Sequence, residues 1–331
     1  MMYVFWIGGI VLGFVLLVKG ADFFVDGAAS IARKLGISAA IVGLTIVAMG
    51  TSAPEAAVSL TTGVQAGFLG NAHATDTSVG NILGSNLFNL LFILGICMMI
   101  KPIPTFKESL TRDFPWAIGT TILFIPMIMD GKLALYEGII LLVLFFSYIG
   151  WLIYKSVKNR VVVPDETKKL SGPKSVFFLL LGLAMIIAGS QFVVNCAEAL
   201  ALKLGMSQTI VGLTICAIGT SLPELVTSMV ASRKGESELA VGNVIGSNIF
   251  NLLFILGGTI CICAPGLEGF AMRVDLAMLI DVIVLLCVTA MMFIFSITGR
   301  KCNRIEGVIT FSAYLLYFTF IILRELGILV F

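Results

Sequence analysis

The chain is organised as long apolar stretches separated by short polar or Pro/Gly-rich joints. Ten such stretches can be placed, near residues 3–32, 37–64, 76–100, 113–130, 133–154, 174–201, 206–232, 238–263, 271–297 and 305–329. A helix needs roughly 18 or more apolar residues to cross the hydrocarbon core of a bilayer. The pattern therefore predicts an all-α polytopic membrane protein with ten transmembrane helices.

Composition supports this class and excludes others. The 331 residues are 59% hydrophobic and only 12% charged, with a mean hydropathy of +1.07, whereas soluble domains carry about 25% charged residues. The net charge of +2 and the lack of a basic, aromatic-rich run argue against a nucleic-acid partner. The seven cysteines match no zinc-ligand spacing. We interpret residues 1–18 as part of a span, because no signal cleavage site follows them. No obligate protein partner and no cofactor are evident.

The distribution of positive charge predicts the orientation of the chain. Of the 21 Lys and Arg residues, Lys19 lies within the first span and the others lie in or beside connections. Alternation of ten spans assigns only Lys132, Lys203, Arg273 and Arg324 to one side and the remaining sixteen to the other. Positive residues stay cytoplasmic. We therefore expect a multi-pass protein of the cell (inner or plasma) membrane with both termini outside.

The two halves of the chain repeat each other. IVGLTIVAMGTSAPE at residues 41–55 returns as IVGLTICAIGTSLPE at residues 210–224, with twelve of fifteen positions identical. VGNILGSNLFNLLFILG at 79–95 returns as VGNVIGSNIFNLLFILG at 241–257, with fourteen of seventeen identical. Because each half holds five spans, the second copy enters the membrane in the opposite sense, as in many secondary transporters. The predicted units are a repeat at 1–154, a cytoplasmic linker at 155–173 and an inverted repeat at 174–331.

Each repeat places a glutamate in the middle of an apolar span, at Glu55 and Glu224, directly after Gly-Thr-Ser-x-Pro. A charge at this depth costs roughly 2.5–3.5 kcal/mol on insertion scales, so it normally has a partner or a function. The proline loosens the preceding turn and frees carbonyl oxygens. A proline kink whose polar groups are satisfied by Ser and Thr is common in membrane helices, but that interpretation leaves the glutamates unexplained.

The residues around each glutamate therefore predict a cation site. Carboxylate, hydroxyl and carbonyl oxygens form the shell that hard cations such as Ca²⁺ and Na⁺ prefer. The hydroxyl candidates in the two motifs are Thr51, Ser52, Thr220 and Ser221. Two carboxylates would neutralise one Ca²⁺ or a few Na⁺ ions, which matters where unpaired charge is costly.

The third and eighth spans carry a polar stripe. Residues four apart share one helix face, and this spacing joins Asn81, Ser85 and Asn89 in one span and Asn243, Ser247 and Asn251 in the other. We expect Ser85, Asn89, Ser247 and Asn251 to face the carboxylates. For Asn81, Asn86, Asn243 and Asn248, hydrogen bonding between helices is at least as good an interpretation. Gly84 and Gly246 are expected to allow close helix approach.

Charges of the first span have no counterpart in the second repeat. Lys19, Asp22 and Asp26 align with Ala188, Gln191 and Asn195. A local role is favoured for them, either pairing within the first span or facing a vestibule.

The paired GTS-x-PE and GSN-x-x-N segments resemble the α-repeats of the sodium/calcium exchanger family, within the calcium/cation antiporter superfamily. The resemblance covers nearly the whole chain, in the manner of prokaryotic members with a short linker. It implies exchange of inward Na⁺ for outward Ca²⁺, with the first and sixth spans sliding past a fixed core. Several prokaryotic and potassium-dependent members have Asp where this chain has Asn251, which argues mildly against dependence on K⁺.

The resemblance also implies roles for individual residues. Glu55 and Glu224 would be shared Ca²⁺/Na⁺ ligands, and Asn89 and Asn251 would complete the centre. The flanking oxygens would come from Thr51, Ser52, Thr220, Ser221, Ser85 and Ser247, and from the backbone carbonyls of Ala48 and Ala217.

Other functions stay open at this point. A proton/Ca²⁺ antiporter and a potassium-dependent exchanger belong to the same class. A cation channel would also place oxygens at midplane, although it does not need two inverted broken helices. An intramembrane hydrolase would need a base near Ser52 or Ser221, and the single histidine, His73, lies in a connection. We therefore expect no enzyme activity.

Overall fold

The computed structural model describes residues 2–69, 74–158, 170–206, 211, 214–215, 217–298, 301–325 and 328. Helices dominate these residues, because a backbone in hydrocarbon must satisfy its own hydrogen bonds. The first half holds α1 (Met2–Leu35), α2 (Ala39–Thr51), α3 (Ala53–Phe68), α4 (Ala74–Ile100), α5 (Phe114–Ile128) and α6 (Leu135–Lys158). The second half holds α7 (Gly172–Lys203), α8 (Ala217–Thr220), α9 (Leu222–Lys234), α10 (Ser237–Gly266), α11 (Met278–Thr298) and α12 (Arg304–Glu325).

Among the described residues, seven helices are long and apolar enough to cross a membrane, and the bent pair α2/α3 makes up to eight. Two of the ten expected spans are not in that count. The stretch at 113–130 forms the 15-residue helix α5, directly after one π-helical turn at Ser109–Asp113. The stretch at 206–232 contains α8 and α9 but also includes residues outside the described part. The predicted linker at 155–173 lies mostly outside it too.

Among the helices that the structure describes, π-helical turns interrupt α2, α4 and α10. They cover Gly43–Val47 in α2, Phe88–Ile93 in α4 and Asn251–Ile255 in α10. The turns in α4 and α10 occupy equivalent places in the two repeats. Single π turns inside α-helices are frequent at functional sites, and both of these contain a predicted ligand, Asn89 or Asn251.

Two short antiparallel ribbons join connections of the first half to connections of the second. Strand β1 (Ile103–Pro104) pairs with β4 (Lys301–Cys302), and β2 (Lys132–Ala134) pairs with β3 (Ala271–Arg273). The sequence did not predict them, because strands of two or three residues have no detectable alternation.

Helices α1 and α7 run antiparallel along a seam of glycines. Gly20 faces Gly182, and a Cβ at Gly20 would lie 2.9 Å from the carbonyl oxygen of Gly182. Gly13 faces Gly189 in the same way, and a Cβ at Gly13 would lie 2.8 Å from the carbonyl oxygen of Gly189. Small residues at such positions let two helix backbones touch. The helices expected to slide are therefore packed directly on each other.

Ion pairs connect α1 to the second half. Lys234, at the end of α9, lies 2.8 Å from Asp26 and 3.3 Å from Asp22, and Arg33 pairs with Glu236 at 2.9 Å. Of the two alternatives expected for Asp22 and Asp26, pairing within the first span was therefore wrong, and facing a vestibule stays a prediction. Their partner follows them by more than 200 positions, which no local pattern could indicate.

The two halves pack differently at equivalent glycines. Gly246 of α10 is buried against α2, where an added Cβ would lie 2.6 Å from the Cα of Leu44. Gly84 of α4 is exposed, and no described atom lies within 4 Å of the position of its Cβ. The prediction of close helix approach is confirmed at Gly246, whereas no close approach to Gly84 is seen among the described residues, which do not include Leu213, the equivalent of Leu44. Within the described part of the chain, equal sequences thus have unequal surroundings.

Candidate functional site

Each predicted glutamate lies in the first turn of a helix that begins after a break. Helix α2 ends at Thr51, Ser52 adopts φ −81° and ψ 11°, and α3 continues at an angle of 52°. Ser221 (φ −91°, ψ 7°) separates α8 from α9 in the same way. Pro54 and Pro223 occupy the first turn of the new helices, where their missing N–H groups cost nothing. The proline motif thus starts a helix, and the N-terminal dipole of that helix favours a negative charge.

The helix breaks at Ser52 and Ser221, one in each half of the molecule, are joined by hydrogen bonds. The Ser52 hydroxyl donates a hydrogen bond of 2.8 Å to Oε1 of Glu224, and the Ser221 hydroxyl donates one of 2.8 Å to Oε1 of Glu55. All four side chains are fully buried. Residues 172 and 166 positions apart therefore form one reciprocal pair of contacts, which links the two repeats at their carboxylates.

The polar stripe of α4 reaches the same place. The Ser85 hydroxyl lies 3.3 Å from Oε1 of Glu55 and 3.0 Å from the Ser221 hydroxyl. Nδ2 of Asn251, on α10, lies 3.4 Å from the Ser85 hydroxyl. The equivalent Ser247 is also buried, but its hydroxyl has no hydrogen-bond partner among the described atoms. The site therefore combines both halves without being fully symmetric.

Four buried acceptor oxygens of the predicted ligands have no hydrogen-bond partner in the described part of the chain. They are Glu55 Oε2, Glu224 Oε2, Asn89 Oδ1 and Asn251 Oδ1. A buried polar atom normally finds a partner, because leaving it unsatisfied costs about 1–3 kcal/mol. A group of acceptors without donors is the arrangement that a cation would satisfy.

The charge of the site supports the same interpretation. Within the described residues, the ion pairs formed by Lys and Arg involve neither Glu55 nor Glu224. No group of three His, Cys, Asp or Glu side chains comes together there either. Two ionised carboxylates without a counter-charge are costly in a dry interior. A cation held by two carboxylates and neutral oxygens would remove that cost.

The remaining predicted residues lie at the edges of this group. Ala48 is fully buried in α2, and its carbonyl oxygen accepts the Ser52 N–H at 3.0 Å. Ala217 begins α8 and Thr220 ends it. The Thr51 hydroxyl is buried, 3.0 Å from Oδ1 of Asn243. Asn89 joins the group through Asn248, to which its Nδ2 donates at 3.1 Å.

Around the site, asparagines for which the sequence suggested bonding between helices do make such bonds, two of them with serines that the sequence did not single out, Ser59 and Ser228. Asn243 bonds both Thr51 and Ser228, and Asn81 donates to Ser59 at 3.0 Å. Asn86 and Asn248 bond each other across the two halves. The repeated polar segments contain these asparagines, but a sequence does not show which amide faces an ion and which faces another helix.

Comparisons with known proteins agree with this architecture. The family model described as sodium/calcium exchanger protein matches residues 5–154 and 174–323. A protein of Alkalimonas amylolytica named antiporter CaxA is 40% identical, over 93% of this chain and 96% of that protein. The sodium/calcium exchanger MaX1 of Methanosarcina acetivorans is 31% identical, over 93% of this chain and 96% of its own length.

Solved structures agree as well. The sodium-calcium exchanger NCX_Mj, soaked with Na⁺ and Ca²⁺, matches with a TM-score of 0.81 and 27% identity, over 95% of this chain and 97% of that one. The boundaries of the two family matches coincide with the two halves that carry the repeated motifs. The chain is therefore a multi-pass membrane cation/Ca²⁺ antiporter and not an enzyme, and it belongs to the sodium/calcium exchanger family.

Proposed function

We propose that this protein exchanges Na⁺ for Ca²⁺ by alternating access, with Glu55 and Glu224 as ligands shared by both ions. The observation that carries the proposal is the pair of fully buried carboxylates, each with one oxygen that lacks a partner among the described residues. One Ca²⁺ would neutralise both charges, and Na⁺ ions at neighbouring oxygens would do the same. Because both cargoes use the same carboxylates, one must leave before the other binds, which is the requirement for exchange.

The ligand set that we propose adds oxygens from both repeats. Asn89 and Asn251 would complete the centre, and Ser85 and Ser247 would serve flanking Na⁺ positions. Further oxygens would come from Thr51, Ser52, Thr220 and Ser221 and from the carbonyls of Ala48 and Ala217. Ca²⁺ takes six to eight oxygens, which two carboxylates alone cannot supply. Ca²⁺ and Na⁺ are cargo here, and no resident cofactor is proposed.

The proposed topology has ten spans. Eight are α1, the bent pair α2/α3, α4, α6, α7, α10, α11 and α12. The ninth is α5 with its preceding π turn, since residues 109–128 reach about 30 Å at 1.5 Å per residue. The tenth is the broken pair α8/α9. Both termini would then lie outside, and the linker at 155–173 in the cytoplasm.

Radiolabelled Ca²⁺ uptake into proteoliposomes tests the exchange. Uptake should follow an imposed outward Na⁺ gradient, and both Glu55→Gln and Glu224→Gln should reduce it to background, since each removes half of the site's charge. Glu137→Gln is the matched control, because that glutamate of α6 is 8% exposed and accepts a hydrogen bond from the Ala134 N–H in β2. Its uptake should equal that of the wild-type protein.

Different ion gradients separate the alternatives. Uptake driven by a pH step and indifferent to Na⁺ would identify a proton/Ca²⁺ antiporter, and a requirement for added K⁺ would identify a potassium-dependent exchanger. Flux at channel-like rates without any counter-ion would indicate a pore. Normal uptake by both Gln variants would contradict the assignment of the site.

A further inference from the structure

Four asparagines meet where α4 crosses α10, at the boundary between the two halves. They are Asn86 and Asn89 on α4 and Asn248 and Asn251 on α10, and each is at most 5% exposed. Asn89 and Asn251 each leave an amide oxygen without a partner among the described atoms. Asn86 and Asn248 have no such atom in that part of the structure, and their bonds explain the orientation of the other two.

Asn86 and Asn248, the outer pair, are held in place by backbone carbonyl groups. Nδ2 of Asn86 donates to the carbonyl oxygen of Asn248 at 3.2 Å, and Nδ2 of Asn248 donates to the carbonyl oxygen of Asn86 at 3.0 Å. A carbonyl oxygen can only accept, so the side-chain atom that faces it must be the NH₂ group. This settles the orientation of both amides, which side-chain shape alone would leave ambiguous. Their Oδ1 atoms consequently face away from those carbonyls.

The outer pair in turn orients Asn89 and Asn251, the inner pair. Oδ1 of Asn86 accepts from Nδ2 of Asn251 at 3.0 Å, and Oδ1 of Asn248 accepts from Nδ2 of Asn89 at 3.1 Å. An amide oxygen also only accepts, so Asn89 and Asn251 must turn their NH₂ groups toward the outer pair. The oxygens left over are the two that have no partner. The NH₂ group of Asn251 has a second acceptor, the Ser85 hydroxyl beside Glu55 at 3.4 Å, so both of its N–H groups are used and Oδ1 is the atom left available.

We propose that Asn86 and Asn248 are positioning residues for ion binding, which hold Asn251 and Asn89 so that oxygen, and not NH₂, is available to the cation. This inference rests on the proposed function and concerns the same site. The oxygen of a side-chain amide carries partial negative charge and its NH₂ group carries partial positive charge. A flipped Asn89 or Asn251 would therefore point partial positive charge at the ion. The crossed contacts mean that each half orients the ligand supplied by the other half.

A double-mutant cycle separates this role from a purely structural one. Asn86→Leu removes the acceptor that orients residue 251, and it is made in the wild-type protein and in an Asn251→Asp background. A carboxylate offers oxygen on both sides, so residue 251 no longer needs an orienting acceptor when it is Asp. In the wild-type background we expect the Ca²⁺ KM in Na⁺-loaded proteoliposomes to rise about 10–100-fold, as for other residues that orient metal ligands. In the Asp background the same change should alter KM by no more than about twofold.

Ser232→Ala is the matched control. Its hydroxyl is buried and bonds the Cys97 carbonyl across the two halves at 3.3 Å, without touching the site residues. It tests whether the loss of any buried bond between the halves raises the KM, and we expect no change.

The outcomes distinguish the two levels of inference. An equal rise in KM in both backgrounds, or no rise in either with folded protein, would overturn the positioning role. If Asn86→Leu does not fold, Asn86→Ser and the symmetric cycle of Asn248→Leu with Asn89→Asp give the same test. Absence of Na⁺-driven uptake in the wild-type protein would instead overturn the proposed function, and the cycle would then be read from ⁴⁵Ca²⁺ binding to the purified variants.

Discussion

The hydroxyls of Ser52 and Ser221 have equivalent positions in the sequence but unequal surroundings. Each donates a hydrogen bond of 2.8 Å to the glutamate of the opposite repeat. Only Ser221 has a second neighbour at the site, the Ser85 hydroxyl at 3.0 Å, because Ser247 makes no matching contact in the described part of the chain. Removal of the two hydroxyls should therefore have unequal effects.

We expect Ser221→Ala to weaken Ca²⁺ binding about tenfold, which corresponds to about 1.4 kcal/mol. Glu55 would lose a charge-assisted hydrogen bond and Ser85 a neighbour. Ser52→Ala should weaken binding less, and Ser221→Thr, which keeps the hydroxyl, should bind as the wild type does. ⁴⁵Ca²⁺ scintillation proximity measurements on purified protein give the three affinities. A larger loss of Ca²⁺ affinity in Ser52→Ala than in Ser221→Ala would show that the number of contacts made by each serine does not determine its contribution to binding.

At the scale of elements, the described residues pack differently around the equivalent glycines of the two repeats. The α2–α10 crossing is closed at Gly246, whereas Gly84 on α4 is exposed. A transporter that alternates needs one side packed and the other accessible. The pair of glycines provides a direct measure of this difference, since both belong to the same repeated motif.

Gly246→Ala should destabilise the protein by about 1–3 kcal/mol, because a Cβ there forces Leu44 and its helix to move. Gly84→Ala should leave the stability unchanged or raise it slightly, since Ala favours a helix more than Gly does. Melting followed by intrinsic fluorescence in detergent compares the two variants with the wild type. Equal melting temperatures for both variants would contradict the packing difference.

The sequence predicted most of this architecture but not its asymmetry. The apolar runs located the helices, and the repeated GTS-x-PE and GSN-x-x-N motifs placed Glu55, Glu224, Ser85 and Asn251 in one group because membrane-buried polar residues must find partners. Identical motifs give identical expectations, so Gly84 and Gly246 could not be told apart. The pairing of Lys234 with Asp22 and Asp26 depends on tertiary contacts between distant segments, which lie beyond local patterns.

At the scale of the whole molecule, the distribution of Lys and Arg predicts the orientation in the membrane. Sixteen positive residues flank one side of the ten proposed spans, and Lys132, Lys203, Arg273 and Arg324 lie on the other. Positive connections are retained in the cytoplasm. In the proposed topology the two halves would cross the membrane in opposite senses, and equivalent broken helices would approach the site from opposite faces.

Reporter fusions test this orientation. Alkaline phosphatase fused after residue 331 should be active and green fluorescent protein at the same point dark, because the terminus is expected outside. Fusions made within the linker at 155–173 should give the reverse. A fluorescent fusion after residue 331 would mean that the number of spans is odd or that the orientation is inverted.

The bonded asparagines also bear on how the site could change during evolution. The hydrogen bonds that orient Asn89 and Asn251 lead, through the side chains of Asn86 and Asn248, to the main-chain oxygens of residues 86 and 248. A main-chain oxygen remains whichever side chain is substituted. Mutation can break only the intermediate links, and a new side chain that again donates to those carbonyls would restore the arrangement. The geometry of the proposed ligands would thus be inherited with the crossing of the two helices, so the side chains at 89 and 251 could change while the backbone that orients them stays the same.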